Sequence, residues 1–230
     1  MQLFCLPPAG SGANTYLPWK QTPTDGLSIE AISLPGRESR ISESIPETLE
    51  DLASLLCHEI IPAIRGPYCL FGYSMGALLA YEIAIKLQSH QYRLPEKFFA
   101  LAASAPQCDR AQQPLIHELT SEAFNQQLSE LGGTPSEVLA SPELMELFEP
   151  ILRQDFKLCE TYQASGQQKL DCPIFIFEAK DDSLVPAEHS APWQDLSLAY
   201  SKRYQLPGGH MLNAKTFASL LPIIKTLSLS

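Results

Sequence analysis

Six short apolar runs alternate with longer segments of helical periodicity along this chain, and that alternation constrains its fold more than any other feature. The runs are Gln2 to Leu6, Ser28 to Ser33, Tyr68 to Tyr73, Lys97 to Ser104, Ile174 to Ala179 and Tyr200 to Leu206, each bounded by Gly, Pro or polar residues. Continuous apolar runs of this length read as strands buried on both faces. Thr48 to Ile64 and Met75 to Ser89 carry apolar residues at three- and four-residue spacing, the pattern of helices with one face inward. Strand then helix, repeated, predicts an α/β fold: a parallel sheet whose crossover helices cover both sides. At 230 residues the chain suits a single domain over 1–230 with a substantial core.

The alternation breaks after Ser104, where about seventy residues pass before Ile174, far more than an ordinary connection needs. Helical patterns fill the gap, from Ser121 to Leu131 and from Pro142 to Tyr162, with Gly132-Gly133-Thr134-Pro135 as a break between them. Pro150 is expected to kink or divide the second helix unless it occupies a first turn. A helical insertion here, over the carboxyl edge of a parallel sheet, reads either as a lid or as a structural subdomain.

One run ends in a motif that carries chemistry. Gly72-Tyr73-Ser74-Met75-Gly76 is G-x-S-x-G at the junction of a predicted strand and a predicted helix. Glycines on either side allow the sharp turn that lifts the Ser74 hydroxyl above the sheet edge and strains its backbone. The pattern alone is common, and the alternative is a tight turn with an inert serine; the strand-turn-helix context favours a nucleophile. A hydroxyl needs a base within hydrogen-bond reach, and histidine has the suitable pKa. His58, His90 and His117 lie on or beside helices without turn chemistry, and His189 sits on what reads as a short helix. His210 follows a strand end and the flexible Pro207-Gly208-Gly209 turn, where this order of residues places the base.

The acid should lie between them on the loop after a strand, which leaves Asp181 and Asp182. Asp182, three residues before Val185, has the spacing usual in this motif class, and Asp181 is the alternative, a solvated turn residue or helix cap in that case. Two amides suit the oxyanion: Met75 N–H, just after the nucleophile, and Ala9 N–H in the loop Leu6 to Gly12 after the first strand. That loop has neither G-x-G-x-x-G nor a lysine-bearing phosphate loop.

Composition excludes other classes. Lys and Arg number 16 against 26 Asp and Glu, a net charge of -10, with no basic run to follow a phosphate backbone, so nucleic acid is not an expected partner. No window reaches the length of a membrane span and the N-terminus lacks a signal-peptide pattern, which predicts a cytoplasmic protein, expected to be a monomer. The six cysteines are scattered without a C-x-x-C pair, so reduced core thiols are expected and no metal site.

Six segments together resemble the type II thioesterases, the free-standing editing enzymes of nonribosomal peptide and polyketide synthases. They are Phe4 to Gly10, Leu34-Pro35-Gly36-Arg37-Glu38-Ser39-Arg40, Gly72 to Gly76, Arg153-Gln154-Asp155-Phe156, the Asp181-Asp182 loop and Pro207-Gly208-Gly209-His210. The resemblance spans nearly the whole chain and implies an α/β-hydrolase fold with a mobile helical lid at about 106–162. It implies Ser74, Asp182 and His210 as the catalytic set, and Ala9 and Met75 as oxyanion donors. The implied substrate is an acyl group on the phosphopantetheine arm of an acyl or peptidyl carrier protein, with no cofactor of the enzyme's own. Such relatives often have Ala-Gly-Gly where this chain has Ala9-Gly10-Ser11, and a glycine in the acid loop where it has Glu178-Ala179. The chain also starts at the oxyanion strand, so an additional N-terminal edge strand is not expected.

Overall fold

The computed structural model describes residues 1–109, 115–164, 166 and 168–230. Within them a six-stranded sheet is wholly parallel, in the order β2-β1-β3-β4-β5-β6. The strands are β1 (Gln2–Leu6), β2 (Ser28–Ala31), β3 (Tyr68–Tyr73), β4 (Lys97–Leu101), β5 (Ile174–Ala179) and β6 (Ser201–Leu206). The helices are α1 (Leu17–Gln21), α2 (Leu49–Ala63), α3 (Met75–Ser89), α4 (Ser121–Leu131), α5 (Ser136–Leu139), α6 (Pro142–Thr161), α7 (Ala187–Ser190) and α8 (Ala214–Leu229).

The period-two geometry of a strand sends alternate side chains to opposite faces, and in β1, β3, β4 and β5 both faces are buried, while the edge strands β2 and β6 are partly exposed. Phe4, Leu6, Tyr68, Leu70, Phe98, Ala100, Ile174 and Ile176 join one core with α2 and α3. Leu3, Cys5, Cys69, Phe71, Phe99, Leu101, Phe175 and Phe177 join the other with α1 and α8. In that second layer the Trp19 and Phe217 rings stack with centroids 4.6 Å apart, and the Trp19 indole N–H donates to the Phe217 carbonyl at 3.1 Å. Cys5, Cys57, Cys69 and Cys172 are buried thiols; burial pushes Cys57 and Cys69 up to about 11 and Cys172 to about 12, so they stay protonated and apolar in behaviour.

Several boundaries differ from the sequence pattern for local reasons. β4 stops at Leu101 rather than Ser104 because Ala102 takes a positive φ of 45°, which no strand accommodates. β2 stops at Ala31, short of Ser33, although the Ile32 amide still reaches the Cys5 carbonyl at 2.9 Å. Thr48 is the N-cap of α2, its hydroxyl accepting from the Asp51 amide, rather than the first helical residue. Gly132, in the left-handed region at φ 69°, caps the end of α4. Pro150 does not divide the last helix of this segment: α6 runs unbroken from Pro142 to Thr161, with Pro150 inside it.

The segment between β4 and β5 therefore carries α4, α5 and α6, with 110–114 of the expected insertion outside the described residues. Its helices share a separate small core of Phe124, Leu128, Met145 and Leu152, flanked by Ile116, Leu119, Val138, Leu139 and Phe156. Among the described residues no helix is long and apolar enough to cross a membrane.

Candidate active site

Parallel register gathers the loops. Leu6 of β1 stands beside Gly72 of β3, Tyr73 beside Leu101 of β4, and Ala179 of β5 beside Leu206 of β6, so the loops that follow β1, β3, β5 and β6 all leave the same edge. β1 and β3 also mark the point where the strand order reverses, the usual crevice for a ligand in an open parallel sheet.

Ser74 occupies the turn between β3 and α3 with φ 51° and ψ -116°, a strained conformation for a residue with a Cβ. Its neighbours explain how the turn is held. A Cβ on Gly72 would overlap the backbone of Gly76 and Ala77, and a Cβ on Gly76 would overlap the carbonyl of Leu6. Both glycines are thus required by contact, one against the first turn of α3 and the other against the end of β1. The Ser74 amide donates to the Leu101 carbonyl at 2.8 Å, which ties the turn to β4.

The Ser74 hydroxyl lies 2.8 Å from His210 Nε2, and His210 Nδ1 lies 2.9 Å from Asp182 Oδ2. The other carboxylate oxygen of Asp182 accepts from the Leu184 and Val185 amides at 2.9 and 3.0 Å, which fixes the carboxylate's orientation. The side chains of His210 and Asp182 are 10% and 2% exposed, so this chain of hydrogen bonds is largely shielded from water. Asp181 is exposed, and its amide donates to the Gly208 carbonyl across the two loops. The Tyr73 hydroxyl donates to the His210 carbonyl and accepts from the Leu212 amide, both at 2.7 Å. Burial pushes that hydroxyl up to about 12, so it keeps its proton and the loop keeps its anchor. The sequence marked Tyr73 only as a position within G-x-S-x-G; nothing local signals a contact 137 residues away.

The other histidines are engaged elsewhere. His117 Nδ1 is 2.5 Å from Glu160, whose carboxylate also accepts from the Ile116 and His117 amides. His90 contacts the Lys86 carbonyl at the end of α3, and His58 is exposed on α2. His189 lines the same cavity as Ser74, but the imidazole bonded to the hydroxyl is that of His210.

Ala9 and Met75 both border the cavity beside Ser74. Met75 is the first residue of α3, where amides have no partner within a helix. Ser11, at the position where relatives often have glycine, does not need glycine's freedom: Gly10 is the loop residue in the left-handed region, at φ 71°. Glu178, in the other substituted position, pairs with Arg203 of β6 at 2.6 Å and leaves the turn to Asp182 intact. The cavity has a volume of about 690 Å³ and is walled mainly by apolar side chains, including Leu78, Leu128, Phe148, Leu152 and Met211.

A thioesterase-domain family model matches residues 1–227. The chain is 34% identical over 210 residues to the gramicidin S biosynthesis protein GrsT of Aneurinibacillus migulanus, covering 91% of this chain and 82% of that one. RedJ, a thioesterase from the prodiginine biosynthetic pathway in Streptomyces coelicolor, superposes with a TM-score of 0.90 at 29% identity, over 98% of this chain and 84% of that one. The type II thioesterase BorB from the borrelidin biosynthetic cluster gives 0.89 at 31% identity, over 100% and 92%.

Proposed function

Because the chain belongs to the thioesterase family, we propose that it releases acyl groups from the phosphopantetheine arm of carrier proteins by hydrolysis at Ser74. It is a thioester hydrolase of the α/β-hydrolase fold, akin to the free-standing editing thioesterases of synthase pathways. The observation that supports Ser74 as the reacting group is its hydroxyl, hydrogen-bonded to His210 and through it to Asp182, in the wall of a largely apolar cavity.

The chemistry follows from those contacts. Ser74 Oγ attacks the thioester carbonyl while His210 Nε2 takes its proton, and Asp182 holds the imidazole tautomer and stabilises the imidazolium. The negative charge that develops on the carbonyl oxygen is met by the Met75 and Ala9 N–H groups. The carbon–sulfur bond then breaks, the imidazolium returns the proton to the departing pantetheine sulfur, and an acyl-Ser74 ester remains. Water attacks that ester, gives a proton to His210 and leaves the free acid; His210 returns the proton to the serine oxygen. A thiolate is a better leaving group than an alkoxide, so the site can serve many acyl groups, as removal of stalled or incorrect ones requires.

The helices α4 to α6 act as the lid of the acyl cavity in this reading. Carrier proteins tend to be acidic, and this chain carries a net charge of -10, so docking relies on local apolar contact rather than long-range attraction. Leu144, Leu147 and Phe148 stand exposed on α6 and suit such contact. The test is hydrolysis of a panel of acyl groups loaded on one carrier protein, against matching free esters, with Ser74→Ala as control. Faster turnover of the carrier-bound thioesters, giving free acid and lost in Ser74→Ala, is the expected result. Preference for free esters, or transfer of the acyl group to an added alcohol instead of water, would overturn it.

A further inference from the structure

The segment Leu34 to Arg40 and the Arg153 to Phe156 segment lie far apart in sequence and outside the chemistry just described, yet they meet. Arg37 Nη1 and Nη2 donate to the two carboxylate oxygens of Asp155 at 2.6 and 2.8 Å. Arg37 is 6% exposed and Asp155 fully buried. The same carboxylate accepts from the Gly10 amide at 2.7 Å, and Arg37 also donates to the Ser11 carbonyl at 3.0 Å and the Pro35 carbonyl at 3.3 Å. One ion pair therefore clasps three pieces of chain: the loop after β1, the turn after β2, and α6 of the insert. A second contact runs the same way, since a Cβ on Gly10 would overlap the side chain of Leu152, one turn before Asp155 on α6. Glu38 supports the loop from its other side, accepting from the Ala13 and Asn14 amides at 2.9 Å.

Burying two charges is costly, and an apolar pair of similar volume is often as stable or more so. Such a pair is therefore poorly explained by stability, and its hydrogen bonds indicate another role. The residues it clasps, Gly10 and Ser11, directly follow Ala9, which borders the cavity beside Ser74. We infer that Arg37 and Asp155 are positioning residues: their ion pair aims the Ala9 N–H at the oxyanion and makes that aim depend on the seating of α6. The inference rests on the reading of Ala9 as a donor in Ser74-dependent hydrolysis.

Single truncations leave a lone buried charge and are expected to unfold or melt early, so the informative variant removes both charges: Arg37→Met with Asp155→Leu. It is expected to melt within a few degrees of the wild type or above it, yet to lose on the order of 10- to 100-fold in kcat, because a misaimed donor costs transition-state and not ground-state binding. KM for an acyl-carrier substrate should stay within about threefold, while affinity for a trifluoromethyl ketone, whose tetrahedral adduct needs the oxyanion donors, should fall with kcat. Arg37→Lys, which keeps the charge but lacks the fork, is the second variant, expected to fold and to slow at least about fivefold. A folded double variant, or a folded Arg37→Lys, with wild-type kcat and ketone affinity overturns the inference. Should the wild type itself show no Ser74-dependent turnover, the functional reading fails instead, and the Ser74→Ala control tells the two failures apart.

Discussion

The loops carrying Ser74 and Asp182 leave β3 and β5, central strands buried on both faces, and His210 follows the edge strand β6, whereas α4 to α6 share a small core of their own around Phe124, Leu128, Met145 and Leu152. At the sheet edge, position is fixed by backbone: the Leu6 carbonyl against Gly76, the Ser74 amide on Leu101, the amides of Leu184 and Val185 on Asp182. In the insert, position depends on side chains that bridge back to the frame, namely Asp155 to Arg37 and Gly10, Gln154 to the Pro46 carbonyl, Lys157 to Glu47 and Tyr162 to Glu82, with Leu158 joining the core under the sheet. Lys157 and Glu47 are exposed enough that their pair contributes little, which leaves the buried Arg37–Asp155 pair and the buried Tyr162–Glu82 hydrogen bond as the principal polar ties. The contrast predicts a division of labour in which the reactive groups sit on the more firmly held frame, while the insert beside the cavity opens at lower free energy.

The largest expected effect tests the frame. Asp182→Asn should lower kcat/KM by about 10⁴-fold with little change in melting temperature, because the amide presents the wrong partner to His210 Nδ1 while keeping an acceptor for Leu184 and Val185. Steady-state kinetics beside a thermal melt checks this, and retained activity would place the orienting group elsewhere.

Next comes the insert. Removing a fully buried phenylalanine ring costs about 3–5 kcal/mol where it packs, and Phe124→Ala should exact that within α4 to α6. Limited proteolysis should then cut in 121–161 while the global melt moves by no more than about 2–4 °C; a fall of roughly 6–20 °C, as a fully cooperative chain of this size would show, would erase the distinction between the two regions. Native-state hydrogen exchange sharpens the same point without mutation. Amides of β3 and β4 should exchange only on global unfolding, and those of α4 on the order of 100-fold faster or more.

The smallest effect lies at the seam between frame and insert. Glu82 of α3 is buried, and burial pushes its carboxyl above the ordinary range even though the Tyr162 hydroxyl donates to it. A raised folded-state pKa means the folded protein holds that proton more firmly than the unfolded chain. Its stabilising contribution is therefore greatest below the ordinary carboxyl value and declines as pH rises through the raised one. Glu82→Gln keeps the acceptor and removes the charge, so its urea midpoint should exceed the wild type's at pH 8 and lose that advantage at pH 4.

Much of this frame was legible along the chain because its rules are local. Buried parallel strands need unbroken apolar runs, as in Cys69 to Phe71 and Ile174 to Phe177, and the strand-turn-helix at Ser74 needs glycines where overlap forbids a Cβ. The same reasoning pointed to His210 and to the Asp181-Asp182 loop, and the structure joins His210 to Asp182. Less local features stayed hidden. The positive φ that ends β4 falls on Ala102, a residue with no turn preference, and nothing in Leu17 to Gln21 announced the short helix that brings Trp19 onto Phe217. The uninterrupted course of α6 through Pro150 is set by its packing, which outweighs one missing N–H. The roles of Arg37 and Asp155 were illegible for a different reason: each stands in a recognisable segment, but their partnership spans 118 residues and appears only in three dimensions.

The proposed hydrolysis depends on Ser74 being made reactive by the imidazole 2.8 Å away. Labelling with a fluorophosphonate, followed by peptide mass spectrometry, measures that directly. The wild type should carry the adduct on Ser74, and His210→Ala should label more slowly by about 10²- to 10⁴-fold. An adduct on another residue, or a His210→Ala variant that labels as fast as the wild type, would contradict it.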